Sequence, residues 1–507
     1  MTTEKSLATP SDDERRLHEM GYAQELSRTM SGFSNFAVSF TIISILSGCL
    51  TLYGFGMNTG GPALIVWGWP FIGLMTLLVG LAMAEVCSSY PTAGGLYYWS
   101  AKLAVRNGPA WSWFTGWFNF LGQVAVTAGI DFGCAFFLNA YLSLQFGYTV
   151  TPGHTITLFA IVLVLHGLLN TFGVRLVALL NDISVWWHVI GVAIIVGALA
   201  LLPDRHQSAS FVFTEFVNNT GWTSTLYVAL LGLLLAQYTF TGYDASAHMT
   251  EETHDAARTG PRGIVMSILV SLVAGWVLLI GVTFAIQDYD STAANAVPPA
   301  QIFVDALGST GGEILLLITI GAQFFCGMSS VTANSRMIYA FSRDGALPAS
   351  AFWHRVNKRT RTPTRAVWLA AAGAFLLGLP YLWNATAYYA VTSIAVIGLY
   401  IAYVLPTFLR LRQGAAFQRG PWHLGRWSTL VGTLAVVWVC FITVLFMLPQ
   451  RSPVTRDTFN YAPIAVLVVL GFAGVWWLAS ARKWFTGPKV QGSPQELAAI
   501  ERELGSV

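Results

Sequence analysis

Residues 236–252 read AQYTFTGYDASAHMTEE, and they sit at the end of an apolar run long enough to enter a bilayer. A lipid-facing helix has no use for the hydroxyls of Thr239, Thr241 and Ser246, the flexible Gly242 or the carboxylate of Asp244. A carboxylate within a span costs about 2.5–3.5 kcal/mol even on the lenient insertion scale, so something must repay it. Residues 39–48, SFTIISILSG, have the same character. Irregular backbone at membrane depth survives only where it lines a cavity or is enclosed by protein. Both stretches are therefore expected to break near the midplane, around residues 44–48 and 240–244. The bland alternative for Ser44, Ser47 and Gly48 is tight helix packing with hydroxyls bonded to the preceding turn. The matching oddity in a second helix favours a site.

Composition sets the frame. Of 507 residues, 55% are apolar, 14% aromatic and only 10% charged, where soluble chains carry about a quarter charged residues. The 48 glycines suit close helix packing in a membrane. Apolar runs between charged interruptions give spans near 32–56, 64–86, 112–143, 155–173, 176–202, 224–248, 263–286, 312–341, 365–382, 386–409, 428–449 and 461–481. The predicted fold class is an all-α polytopic membrane protein with twelve transmembrane helices. Residues 1–30 and 483–507 are read as cytoplasmic tails around a single transmembrane domain at 31–482. Alternating the spans from the first tail leaves only Arg205, Arg451 and Arg456 of the 27 basic residues on the far side, with Arg336 inside a span. That asymmetry obeys the positive-inside rule and puts both termini in the cytoplasm of a cell-membrane protein. The balance of 27 basic against 24 acidic residues, without a basic block, excludes nucleic acid as a partner. Cys49, Cys87, Cys134, Cys326 and Cys440 lie in or beside apolar runs without metal-like pairing and read as reduced packing residues.

The odd helices are the first and sixth of twelve. With five spans per half, they hold matching positions in an inverted repeat of roughly 32–202 and 224–409, and helices 11 and 12 fall outside it. Freed N–H groups at one half-helix start attract a carboxylate, and freed carbonyls attract an ammonium. The roles open to Asp244 are to accept freed backbone N–H bonds, to bind substrate ammonium or to carry a proton. Asp131 is a weaker case, Asp182 reads as a helix cap or surface pair, and Arg336 as a gate residue or one that snorkels. Tyr238, Phe240, Tyr243, Trp186 and Trp187 would suit cation–π contact with a quaternary amine, or an amino-acid tail.

Three motifs carry a family resemblance. Residues 84–99, AEVCSSYPTAGGLYYW, with Glu85, Pro91, Gly94, Gly95, Tyr97 and Tyr98, resemble the loop after helix two of the amino acid, polyamine and organocation transporter superfamily. Gly242 to Glu252, followed by Pro261, Arg262 and Gly263, is similar to helix six and its exit in the branch of GABA and choline permeases and plant bidirectional amino acid transporters. Residues 335–348, SRMIYAFSRDGALP, resemble that branch's helix-eight exit. The resemblance implies a LeuT-type fold with a central site between helices one, three, six, eight and ten. It implies substrate contacts at Ser44, Ile45, Ser47 and Gly48 and at Phe240, Thr241, Gly242 and Asp244, with Tyr238 as a gating aromatic. Several members carry two glycines in helix one where Leu46 and Gly48 stand in this chain. Several proton-coupled members have a lysine midway along helix five, and counting from Gly173, Val174 and Arg175 brings that position to His188. His188 and Asp244 are the expected proton-coupling residues; His166 reads as a hydrogen-bonded packing residue.

The expected function is secondary transport of a small-molecule substrate, an amino acid such as GABA, taken up with protons or exchanged, with no cofactor and no metal. Choline, ethanolamine and polyamines are the alternative substrates. A transporter-like nutrient sensor is a different-class alternative. A membrane enzyme would need a nucleophile with a base or a metal cluster; Glu251, Glu252, His254 and Asp255 come nearest, in a loop that reads as a solvated switch. The topology makes a direct prediction. Single cysteines at Asn295 and Lys358, in a background lacking the native five, should differ in labelling by an impermeant thiol reagent on intact cells, with Asn295 reactive. Equal labelling would contradict the twelve-span topology.

Overall fold

The apolar runs all fold as helices, because a chain in hydrocarbon must satisfy its backbone polar groups within itself. The computed structural model describes residues 11–172 and 174–503; residues 1–10 and 504–507 of the expected tails, and Gly173, lie outside the described residues. Among the described residues, eleven helices are long and apolar enough to cross a membrane, and Thr225–Thr239 is a shorter apolar helix in the sixth position. Among the described residues, strand-like pairing is limited to two isolated bridges, Met30 with Thr253 and Thr59 with Asn218.

The first span is Gly32–Ile43 followed by Ile45–Thr51, divided at Ser44. The sixth is Thr225–Gly232 and Leu234–Thr239, then a break, then the short helix Ala245–His248 and a 3-10 turn at Thr250–Glu252. The first half of the sixth packs on the second half of the first, and its second half packs on the first half of the first. The third span, Gly108–Phe146, and the eighth, Pro298–Arg343, hold this pair from the sides, and the eighth is interrupted at Gly308 (φ 71°, ψ 177°). The third also packs along the tenth, Ala387–Gln413, closely enough that a Cβ on Gly398 would stand 2.8 Å from the backbone of Gly122. The twelfth, Ala462–Ala479, lies at the margin, with Leu467, Val468, Val475 and Leu478 exposed as a lipid-facing stripe.

Both described chain ends lie on one face, the tail face, where His18 pairs with Glu501 at 2.7 Å and Lys358 with Glu503 at 2.8 Å. This face is laced shut. Glu252 pairs with Arg336 at 2.8 Å and Glu251 with Arg343 at 3.2 Å, all four groups buried. The expectation of a solvated switch at Glu251 and Glu252 is therefore corrected: two guanidiniums from the eighth span neutralise them under cover, while His254 and Asp255 remain exposed. Arg336 is buried in this ion pair rather than snorkelling. The N-terminal segment lies across it, with Arg28 donating to the carbonyls of Thr250 (3.1 Å) and Thr253 (2.5 Å) and Gln24 to that of Glu251 (2.7 Å). Just beyond the eighth span, Asp344 accepts from Tyr97 and from the Lys489 N–H, and burial still lifts its carboxyl above the usual carboxylate range. On the opposite face a cavity of about 470 Å³ opens between Thr51, Phe136, Asn139, Gln301, Tyr388 and Tyr389.

Four cysteines are buried and free; Cys440 is also free but exposed on the eleventh span, Ser428–Leu445, so the packing role expected of all five fails there. Glu85 of the second span, Gly61–Ser89, is buried against Arg410, which lies 3.2 Å from its Oε2; Ser428 donates to the same oxygen and the Leu424 N–H to Oε1. Removing one partner of such a pair leaves a buried charge uncompensated, a cost of about 3 kcal/mol or more. Arg410→Met should therefore lower the thermal unfolding temperature in detergent by several degrees, and adding Glu85→Gln should restore most of it. A single variant as stable as the parent would show that this pair does not brace the fold.

Candidate functional site

Ser44 takes the left-handed conformation (φ 34°, ψ 84°), which costs a side-chain-bearing residue about 1–2 kcal/mol, so the surroundings must hold it. Two contacts do so. Its oxygen caps the following half-helix by accepting the N–H of Ser47 at 3.2 Å, and it lies 2.7 Å from Nε2 of His188 in the fifth span, Val174–Leu201. Nδ1 of His188 lies 2.7 Å from the Ser184 carbonyl, which can only accept, so Nδ1 carries a proton and the neutral ring takes the Ser44 O–H at Nε2. The carbonyl of Ile42, freed by the break, accepts from the thiol of Cys326 at 3.2 Å.

The second break is held from the tenth span. Tyr400 donates to the Phe240 carbonyl at 2.5 Å, and the Gly242 N–H donates to the Tyr403 hydroxyl at 3.2 Å. Gly242 has φ +85°, a conformation open to glycine at little cost. Thr241 turns its hydroxyl back onto the Tyr238 carbonyl at 2.7 Å. Ser39 ties the two spans together, donating to the Tyr243 carbonyl and accepting the Ser246 N–H, both at 2.9 Å.

The breaks face one another across almost no space. A Cβ on Gly48 would stand 2.6 Å from the Thr239 hydroxyl, and one on Gly242 only 2.1 Å from Cγ2 of Ile42. Ser44, Ile45, Ser47, Gly48, Phe240, Thr241 and Gly242 are thus gathered where the two spans cross. Phe240 lies against Trp69, with ring centroids 4.4 Å apart. The Tyr238 hydroxyl and the Gln323 carbonyl oxygen beside this region are buried without a hydrogen-bond partner, which is unusual for such atoms.

Asp244 is fully buried, but its oxygens meet side chains rather than freed backbone N–H groups. Gln123 donates to Oδ2 at 2.7 Å, Tyr403 donates to Oδ1 at 2.6 Å, and Nε2 of His248 is 3.3 Å from Oδ2. Gln123, Tyr403 and His248 did not stand out in the sequence; the one available signal was the i, i+4 spacing of Asp244 and His248. One expectation needs correction. Trp186 and Trp187 do not approach the site, being 60% and 38% exposed on the outer side of the fifth span, where the Trp187 ring donates to the Ile318 carbonyl at 2.8 Å. Asp131 is buried and paired with His166 at 3.2 Å, and Asp182 accepts from Ser34 at 3.3 Å.

Residues 30–471 match the family described as amino acid permease. The chain belongs to the amino acid permease family. The permease is 46% identical over 496 residues to the amino-acid permease BAT1 of Arabidopsis thaliana, covering 93% of this chain and 95% of the relative. It is as similar, at 46%, to the homolog of that permease in Oryza sativa, covering 93% and 95%. It is also 33% identical to the GABA-specific permease of Saccharomyces cerevisiae, covering 94% of this chain and 86% of that one. The permease is a transporter rather than an enzyme, and its substrates are small molecules. Because the glycines of the two breaks leave no room for a methyl group, Gly48→Ala and Gly242→Ala should each weaken binding of a transported amino acid by about tenfold or more, with the purified variants still monodisperse. Parental affinity in both would move the pocket elsewhere.

Proposed function

We propose that the permease takes up amino acids, GABA among them, across the cell membrane by alternating access around the crossing of the first and sixth spans, driven by protons. The observation that carries this reading is the meeting of two enclosed helix breaks. A half-helix start at Ile45 offers N–H groups to a carboxylate, and the carbonyls around residues 41–43 and 238–241 suit an ammonium. No basic side chain is needed for a zwitterion in such a site. The relatives' names favour an amino acid over choline, and so does the lipid-facing position of Trp186 and Trp187, which removes two rings from any cage for a quaternary amine.

The tail face is assigned to the cytoplasm, since it holds the basic loops, among them residues 343–365 with six lysines and arginines. With that face sealed and the cavity on the other side, the described state has its access path from outside. His188 and Asp244, one at each break, are proposed as titrating groups. Protonation of His188 would reverse its bond to Ser44, turning the hydroxyl from donor to acceptor and placing a charge at the hinge of the first span.

Uptake of labelled GABA, alanine and choline into proteoliposomes tests this directly. Saturable uptake of the amino acids that rises with an inward proton gradient is the expected result. Transport of choline alone, or amino acid uptake indifferent to the gradient, would contradict the substrate or the coupling respectively. His188→Ala should lose gradient-driven accumulation while retaining exchange.

A further inference from the structure

The two ion pairs that close the tail face have a cover from the N-terminal segment. Arg343 meets Glu251 at 3.2 Å, and the ring of Tyr22 lies over its guanidinium, 3.9 Å from the central carbon to the ring centroid. A ring in that position attracts the cation and keeps water off one face of it. The Tyr22 hydroxyl reaches Asp344, the residue after Arg343, at 3.2 Å. Tyr22 is only 1% exposed, although it precedes the first span.

Tyr22 does not hold this place by itself. Between the helix Asp12–Glu19 and the first span the chain is not helical, so its N–H groups must find partners elsewhere. On one side the Glu252 carbonyl accepts from Thr29 at 3.0 Å and from Met30 at 2.8 Å, which fixes the segment to the turn leaving the sixth span. On the other side the partners come from the C-terminal segment. Gln491 accepts the Ala23 N–H at 2.7 Å, gives its own N–H to the Gly21 carbonyl at 2.8 Å and donates through its amide to Glu25. Glu501, on the helix Pro494–Glu503, accepts the Gln24 N–H at 2.7 Å. Both chain neighbours of Tyr22 are thus bonded to Gln491, and the Lys489 N–H adds a bond to Asp344 at 3.0 Å.

The two chain ends therefore form one closure. For Arg343 to part from Glu251 its guanidinium must regain water, and the ring of Tyr22 has to move off it first. A ring whose neighbours on both sides are tied to one glutamine moves only as that bonding yields.

We infer that Tyr22 is a closing residue of the tail-face gate and that residues 489–503 clamp it there, so that loosening the clamp makes opening toward the cytoplasm more frequent. The inference rests on the cytoplasmic assignment of the tail face and on alternating access, and it adds the part that both chain ends play.

The test places a reporter behind the gate. Ala247, fully buried about one helical turn before Glu251, becomes the single cysteine of a chain lacking the native five, and its reaction with an impermeant thiol reagent is timed in inside-out and right-side-out membrane vesicles. In inside-out vesicles Tyr22→Ala and Gln491→Ala should each react about tenfold faster than the parent, the effect of removing contacts that favour the closed state. A second reporter, Ala140→Cys in the cavity on the opposite face, should react no faster in right-side-out vesicles. A rate at Ala247→Cys within about twofold of the parent in either folded variant overturns the inference, and so does equal acceleration of both reporters, which marks general loosening of the fold. Should Tyr22→Ala not fold, Gln491→Ala, at a partly exposed position outside the spans, decides by the same rate. Acceleration confined to right-side-out vesicles overturns the cytoplasmic assignment and the inference with it. A parent that transports no amino acid overturns the transport reading instead, because the labelling needs no substrate.

Discussion

A backbone N–H or C=O left without a partner in hydrocarbon costs several kcal/mol, and the rest of this molecule is arranged around that fact. Helices interrupted at Ser44 and at Phe240 are affordable only inside a ring of other helices that supplies substitutes: the hydroxyls of Ser39, Tyr400 and Tyr403 and the thiol of Cys326. This explains why the first and third spans are buried almost all round while the twelfth carries an exposed apolar stripe. It also explains the small residues at the crossing, since two breaks can share one set of partners only if their backbones approach closely.

The crossing is tied mechanically to the tail face. The second half of the sixth span runs from Asp244 through His248 directly into Glu251 and Glu252, so a shift of this half-helix must act on both buried ion pairs. The N-terminal segment adds a second layer, because Gln24 and Arg28 grip the carbonyls of the same turn. Buried pairs of this kind are poor sources of net stability but good latches, being expensive to break one partner at a time. In the proposed transport cycle, opening on this side would require their coordinated separation; the opposite side presents a cavity.

Much of this was legible in the chain itself. Hydroxyls, glycines and a carboxylate inside apolar runs announce helices that cannot face lipid, and they located both breaks to within a few residues. Other features were hidden for identifiable reasons. Trp186 and Trp187 lie next to His188 in sequence, but successive helix positions point about 100° apart, so His188 meets Ser44 while the tryptophans face outward. Glu251 and Glu252 look solvated until their partners arrive from the eighth span, 92 and 84 residues later respectively. The partners of Asp244 come from the third and tenth spans, and no local pattern names Gln123 or Tyr403.

The central claim is that the substrate lies between the two breaks. A cryo-electron microscopy map of the permease with bound GABA tests it most directly. The account predicts ligand density bounded by Ser44 to Gly48 on one side and Phe240 to Asp244 on the other, with the carboxylate at the start of the half-helix Ile45–Thr51. Density confined to the cavity beside Tyr388 and Tyr389, with the crossing of the two spans unchanged, would contradict it.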